Sequence, residues 1–442
     1  MLKHLLRGGG SSINGDPWVI TIVGRDDDVG ESVAVAPDGS VYIGGYTTSA
    51  GAGSYDAFLA KFSSSGTVQW QRTLGGSGYD NASCVAVAPD GSVYVCGGAQ
   101  SAGVGGSDCL LAKFSSSGTV QWQRTLGGKR DETSNSVAVA PDGSVYIGGQ
   151  TQSAGAGKGD LLLAKFSSAG TLQWQRTLGG SSGNDYAISV AVAPDGSVYT
   201  CGGTQSAGAG NSDFFITKFS SSGTVQWYKT LGGSGTDTGY SVAVAPDGSV
   251  YVYGYTTSAG AGSYDAFLAK FSSSGTVQWQ RTLGGRDLEH GYSVAVASDG
   301  SVYVCGYTKS SETGNQNLPL IAKFSSSGTV QWQKTLGGNV FDGAQSIAVA
   351  PDGSVYVCGF TESLSVGGRH FLLAKITDSL IEKGVGTFGI FTFRDVSLTA
   401  KNVSLTITSP GFSVSDAGLT VTTPSLIVGT PSFDITLYPY TE

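Results

Sequence analysis

Apolar and polar residues alternate along this chain in runs of five to eight, each broken by Gly, Asp, Ser or Pro. A period of two is the signature of half-buried β-strands. Near the N-terminus the runs are SVAVA (Ser32 to Ala36), SVYIGGY (Ser40 to Tyr46), DAFLAKF (Asp56 to Phe62) and TVQWQRTL (Thr67 to Leu74). Asp38-Gly39 joins the first two runs and Ser65-Gly66 the last two, with glycine supplying the backbone freedom of tight hairpins. The stretch TTSAGAGSY between the middle runs is a longer loop.

The pattern recurs. Residues Gly45 to Gly76 return unchanged as Gly254 to Gly285, and two rulers count the copies between and around them. Tryptophans stand at 18, 70, 122, 174, 227, 279 and 332, and the aspartate of the P/S-D-G turn at 38, 90, 142, 195, 247, 299 and 352. Both give seven units of four strands, the periodicity of a β-propeller. Trp18 sits in DPWVITIVG, which matches a fourth strand but precedes the first complete unit, while the seventh unit ends at FLLAKIT (Phe371 to Thr377) without one. An all-β, seven-bladed propeller over residues 16–377, closed by its N-terminal strand, is therefore expected. Residues 378–442 read as a small C-terminal β-rich domain that packs on the propeller or on another chain, and residues 1–15 as an extended arm.

Composition narrows the function. Charged residues are 13% of the chain and the net charge is −8, so a counterion-releasing nucleic-acid surface is not expected. No 18-residue apolar run is present for a membrane span, and MLKHLLRGGG lacks the apolar core of a secretion signal. Cys96, Cys201, Cys305 and Cys358 occupy one slot in different units and read as buried thiols, whereas Cys84 could meet Cys96 across a hairpin and leaves a disulfide open. Three histidines and no Cys-x-x-Cys spacing give little material for catalysis, so a non-enzyme without cofactor is expected.

Two acidic columns and one divergent sector are candidate sites. Asp28, Asp80, Glu132, Asp185, Asp237, Glu289 and Asp342 fall where fourth-to-first loops would ring a channel mouth; they could gather a cation such as calcium, or each could hold the amides of its own loop. Asp56, Asp108, Asp160, Asp213 and Asp265 precede the third strand of five units, with Leu318 and His370 in the other two, and suit strand-start capping or blade-to-blade hydrogen bonding. The lysine of LAKF recurs seven times and could contact the tryptophan or an aspartate of its blade. Units six and seven break the pattern in RDLEHGY, TKSSETGNQNLP and TESLSVGGRH, which makes Arg286, Glu289, His290, Glu312, Asn315, Asn317, Glu362, Arg369 and His370 the candidate binding residues. The unchanged segment, by contrast, reads as scaffold.

The unit SVAVAPDGSVYVCGG…LLAKFSSSGTVQWQRTLGG resembles the bacterial and phage-borne SBBP repeat, a seven-bladed propeller family, over roughly residues 16 to 377. That resemblance implies a binding or structural module with no shared catalytic set. The arm, the near-identical blades and the Ser/Thr-rich tail also resemble tailed-phage virion proteins. The expectation is a non-catalytic virion component, tail-associated or fibre-like, made in the host cytoplasm and held to other subunits through residues 1–15 and 378–442. The alternative is a bacterial cell-surface adhesin that binds carbohydrate, and a host-surface glycan or protein is the partner either would meet.

Overall fold

The computed structural model describes residues 16–310, 317–364, 368–383 and 386–395, with the backbone of short strands between 399 and 439. Seven antiparallel blades stand around a central channel, their strands ordered outward in sequence. In blade one these are Asp28–Val35, Val41–Thr47, Asp56–Phe62 and Val68–Gly75. Blade seven takes its fourth strand from the other end of the chain, Trp18 lying opposite Lys375 and Ile22 opposite Phe371. Second and third strands are buried on both faces, because each blade is covered by two others. The core lies between blades: Tyr42, Leu59 and Leu74 of blade one pack with Val93, Val95, Leu110, Ala112 and Phe114 of blade two.

Polar locks reinforce those apolar seams on the face that carries the tight turns. Trp70 Nε1 donates to the Ser116 carbonyl of the next blade at 3.0 Å, Lys61 Nζ donates to the same oxygen at 3.3 Å, and Arg72 Nε donates to the Gly118 carbonyl at 2.9 Å. Gly118, at φ 78°, lies so close beneath the indole that a Cβ there would stand 2.8 Å from Trp70. The tryptophan lock recurs from Trp18 to Trp279. Blade seven has no such turn, and Trp332 packs instead in the cluster that holds Leu380 of the short helix Asp378–Lys383. The repeated lysine lies over the tyrosine of its own blade, Lys61 at 5.3 Å from the Tyr42 ring, and its charge also acts on the turn aspartate Asp38. The arginine is the cation over tryptophan, Arg72 at 5.6 Å from Trp70.

The C-terminal segment is β-rich and packs on the propeller, but not as a separate domain. It adds one antiparallel strand to the outer edge of six blades and two, Phe391–Asp395 and outside it Gly386–Phe388, to blade six. Phe391–Asp395 pairs on blade six, Thr399–Asn402 on five, Thr406–Thr408 on four, Ser413–Ser415 on three, Thr420–Thr422 on two, Ile427–Gly429 on one and Asp434–Pro439 on the N-terminal strand in blade seven. The belt therefore circles the propeller in reverse blade order. Its strands from Thr399 to Asp434 begin at seven-residue steps, and seven extended residues reach roughly 23 Å, enough to step between neighbouring outer edges. Most of these new edges are three residues long, which limits pairing with other chains.

Three outcomes follow from this packing. Gly118→Ala is expected to cost about 2 kcal/mol in chemical denaturation, from a left-handed φ plus the tryptophan clash, whereas Gly91→Ala, at φ 79° with its nearest foreign atom 3.7 Å away, loses only the conformational part; equal losses would show that the indole is not pressed on the turn. Asp142 accepts the Ser144 amide at 2.8 Å, which holds its carboxyl below 3.8, as at Asp38, Asp90, Asp195, Asp247 and Asp299. A depressed folded value gives stability that is present above 3.8 and lost as pH falls through the folded values. Asp142→Ala should thus lower the melting temperature near neutral pH, and the difference should shrink at about pH 2. Removing residues 386–442 uncovers seven strand edges and is expected to lower the melting temperature and promote aggregation; a truncated chain that stays as stable and monomeric as the full one would make the belt dispensable.

Candidate functional site

The two acidic columns are structural. Asp28, Asp80, Glu132, Asp185, Asp237, Glu289 and Asp342 are all at most 1% exposed and do not ring a channel mouth. Six of them open a first strand, Asp80 stands four residues before the shorter first strand Cys84–Val87 of blade two, and each seals the loop before it. In blade three Thr151 Oγ1 donates to Glu132 Oε1 at 2.8 Å and the Gly128 amide to Oε2 at 2.6 Å; in blade six Thr308 Oγ1 and the Gly285 amide bind Glu289 in the same way at 2.7 Å. Burial pushes the carboxyls of Asp28 and Asp342 upward. Calcium has no place on carboxylates already engaged with their own loops, and among the described residues no three His, Cys, Asp or Glu side chains are placed to hold a metal. The second column caps the long loops, Asp56 accepting the Ala52 and Gly53 amides and Asp265 those of Ala261 and Gly262. Cys84 and Cys96 face each other in register as free thiols.

The candidates from blades six and seven part company. Glu289 is spent on its loop, and His370, 0% exposed in the slot of the second aspartate column, cannot meet a ligand. Glu312 and Asn315 lie outside the described residues. Arg286 is exposed on its loop, and Asn317 is half-buried. His290, Glu362 and Arg369 come together with a set of rings that the sequence reading did not single out.

Those rings form a crescent on the face carrying the long loops. His290 stacks on Tyr307 at 5.0 Å and an interplanar angle of 10°, and lies 4.4 Å from Tyr255 and 5.1 Å from Tyr264. Tyr307 leads to Phe341, Phe341 to Phe360, and the Arg369 guanidinium lies 4.7 Å over Phe360 while its Nε meets Glu362 Oε1 at 3.1 Å. Tyr46, Tyr55 and Tyr79 form a further group on blades one and two. Burial pushes His290 down to about 4, so the ring is neutral near pH 7, and its Nδ1 has no hydrogen-bond partner. The Oδ1 of Asn317 is likewise unpartnered. Asn317 fills the slot that Tyr55 and Tyr264 fill in blades one and five. A signal was available: the penultimate residue of the second strand is Tyr46, Gly98, Gln150, Gly203, Tyr255, Tyr307 or Phe360, aromatic in blades five, six, seven and one. Tyr46, Tyr55, Tyr255 and Tyr264 all belong to the unchanged segment, which is more than scaffold.

Beneath the crescent lies the channel, about 500 Å³ in volume. Six first strands carry a β-bulge just before their serine, and the bulged residue lines the channel. Bulges re-aim side chains in this way. The resulting ring is Glu31, Asn135, Ile188, Tyr240, Tyr292 and Gln345, with Ser83 at the equivalent position of blade two. Tyr240 and Tyr292 touch Tyr255 and Tyr307, so crescent and channel are continuous. The following serines fasten the blades to one another. Ser32 Oγ accepts the Val85 amide at 3.1 Å, Ser136 that of Val190 at 3.0 Å, and the pattern returns to Val33 through Ser346.

Residues 36–68, 140–172 and 245–277, in blades one, three and five, match the family described as "Domain of unknown function (DUF5122) beta-propeller". The regulatory protein FlaEY of Caulobacter vibrioides is 30% identical over 214 residues, 39% of this chain and 22% of that protein, so the chain spans under a quarter of its relative's length. Among solved structures, the WD40 β-propeller domain of Doa1 superposes with a TM-score of 0.50 at 15% identity, over 82% of this chain and 97% of that one. PorZ, a surface component of the type-IX secretion system of Porphyromonas gingivalis, gives 0.43 at 13% identity over 94% and 59%. Likenesses at these identities concern the fold alone. The chain is a seven-bladed β-propeller, and segments of three of its blades match that family.

Proposed function

We propose that this propeller is a non-catalytic recognition module that holds carbohydrate on the crescent of blades five to seven. The observation that carries this reading is the run of rings from His290 through Tyr307 and Phe341 to Phe360, edged by an Arg369–Glu362 pair. A sugar ring offers an apolar C–H face to an aromatic side chain and hydroxyls to carboxylate and guanidinium groups at its edge, which is the chemistry this surface presents. A non-catalytic role is supported by the engagement of the acidic columns with backbone amides and by the burial of His370. The setting proposed is a virion tail or a bacterial surface, where such a module would meet host glycans; its support is the sequence resemblance and the compact, many-times-locked ring. The backbone pairing of residues 391–439 on their own propeller offers those residues a role other than anchoring to further subunits. A glycan array probed with the full chain is expected to give hits that Tyr307→Ala weakens at least tenfold in calorimetry, about 1.4 kcal/mol, with Arg369→Ala in the same direction. An empty array, or hits indifferent to both substitutions, would rule out carbohydrate on this face.

A further inference from the structure

One column varies where its neighbours do not. The residue before the serine of the first strand, or before Cys84 in blade two, is glutamate, serine, asparagine, isoleucine, tyrosine or glutamine from blade to blade, while the residues after it read SVAVAPDG or nearly so in most units. The fold does not demand these identities, because six of the seven blades form the same bulge around five different side chains. Their common property is that they face the channel.

Within that lining Glu31 is the one Asp, Glu, Lys or Arg side chain. No hydrogen bond or ion pair reaches its carboxylate among the described residues, and burial pushes its carboxyl up to about 7. Glu31 is half-buried on the wall of that channel, and a carboxylate there with no cationic partner attracts an arriving cation. Blades four and five lie across the ring from blade one and present Ile188 and Tyr240, with Tyr292 next to Tyr240 in contact at 5.2 Å. Asn135 and Gln345 stand between the two walls with amide groups. One wall thus favours positive charge and the opposite wall an apolar or aromatic body. A volume of about 500 Å³ admits a small organic molecule. A calcium ion would require six or more oxygen ligands, which a single carboxylate among amides does not supply.

We infer that the channel is a binding site for a small primary ammonium with an aromatic or alkyl body, its charge on Glu31 and its body against Ile188, Tyr240 and Tyr292. The site is separate from the carbohydrate reading of the crescent, and neither depends on the other. Phenethylamine is the probe and N-acetylphenethylamine its uncharged control, titrated into the full chain by calorimetry at about pH 8, above the value near which Glu31 titrates. The amine is expected to bind at least tenfold more tightly than the control. Glu31→Gln, which keeps the side-chain shape and removes the charge, should abolish that preference without lowering the melting temperature. Ile188→Lys plants a competing cation across the channel and should block the amine even though Glu31 is intact. Equal binding of amine and control, binding that survives Glu31→Gln, absence of binding by the wild-type chain, or displacement of the amine by millimolar calcium would each overturn the assignment.

Discussion

Closure of the ring is the constraint on which the rest of this molecule depends. A blade whose second and third strands are apolar on both faces cannot exist in water alone, and seven of them are satisfied only when the last meets the first. The N-terminal strand Trp18–Val23 does this by completing blade seven, and Asp434–Pro439 then covers its outer side, so the first and last described strands share one sheet. Three further devices act at the same seams: the indole on the glycine turn of the next blade, the lysine and arginine that donate to its carbonyls, and the serine hydroxyls that accept amides around the channel. Each is a modest interaction, but they recur around the ring and share its geometry.

That rigidity lets small departures carry chemistry. A bulge in the first strand leaves one residue per blade outside the ladder, and because the ladder on either side is held, the side chain there can change without disturbing the seam. The loop face works in the same way. Glu289 and Thr308 fix the loop of blade six from beneath, which leaves His290, one residue further on, to stack against Tyr255, Tyr264 and Tyr307. Structural and recognition residues thus alternate along a single strand, as the period of two requires.

Recurrence proved an uneven guide to role. The acids that recur in every blade are consumed by backbone amides, a purely local task. Yet Tyr255 and Tyr264, inside a segment repeated without change, sit in the crescent because the blade beside theirs contributes His290. Their counterparts Tyr46 and Tyr55 contact Tyr79 instead. Identical residues therefore stand in different surroundings, since each surface of a propeller is shared by two blades.

Period, turn chemistry and the displaced Trp18 determined by themselves that this chain forms seven four-stranded blades closed by the N-terminal strand, because those features act within one hairpin or between sequential strands. The capping aspartates were legible for the same reason, as each serves a loop a few residues away. The belt also left a trace, a seven-residue step that begins strands at Thr399, Thr406, Ser413, Thr420, Ile427 and Asp434. What that step measures is the distance between outer edges of neighbouring blades, which exists only once the ring has formed. The crescent and the channel were decided at the same level. Glu31, Tyr240 and Tyr292 are far apart along the chain, and only closure of the ring sets them around one cavity.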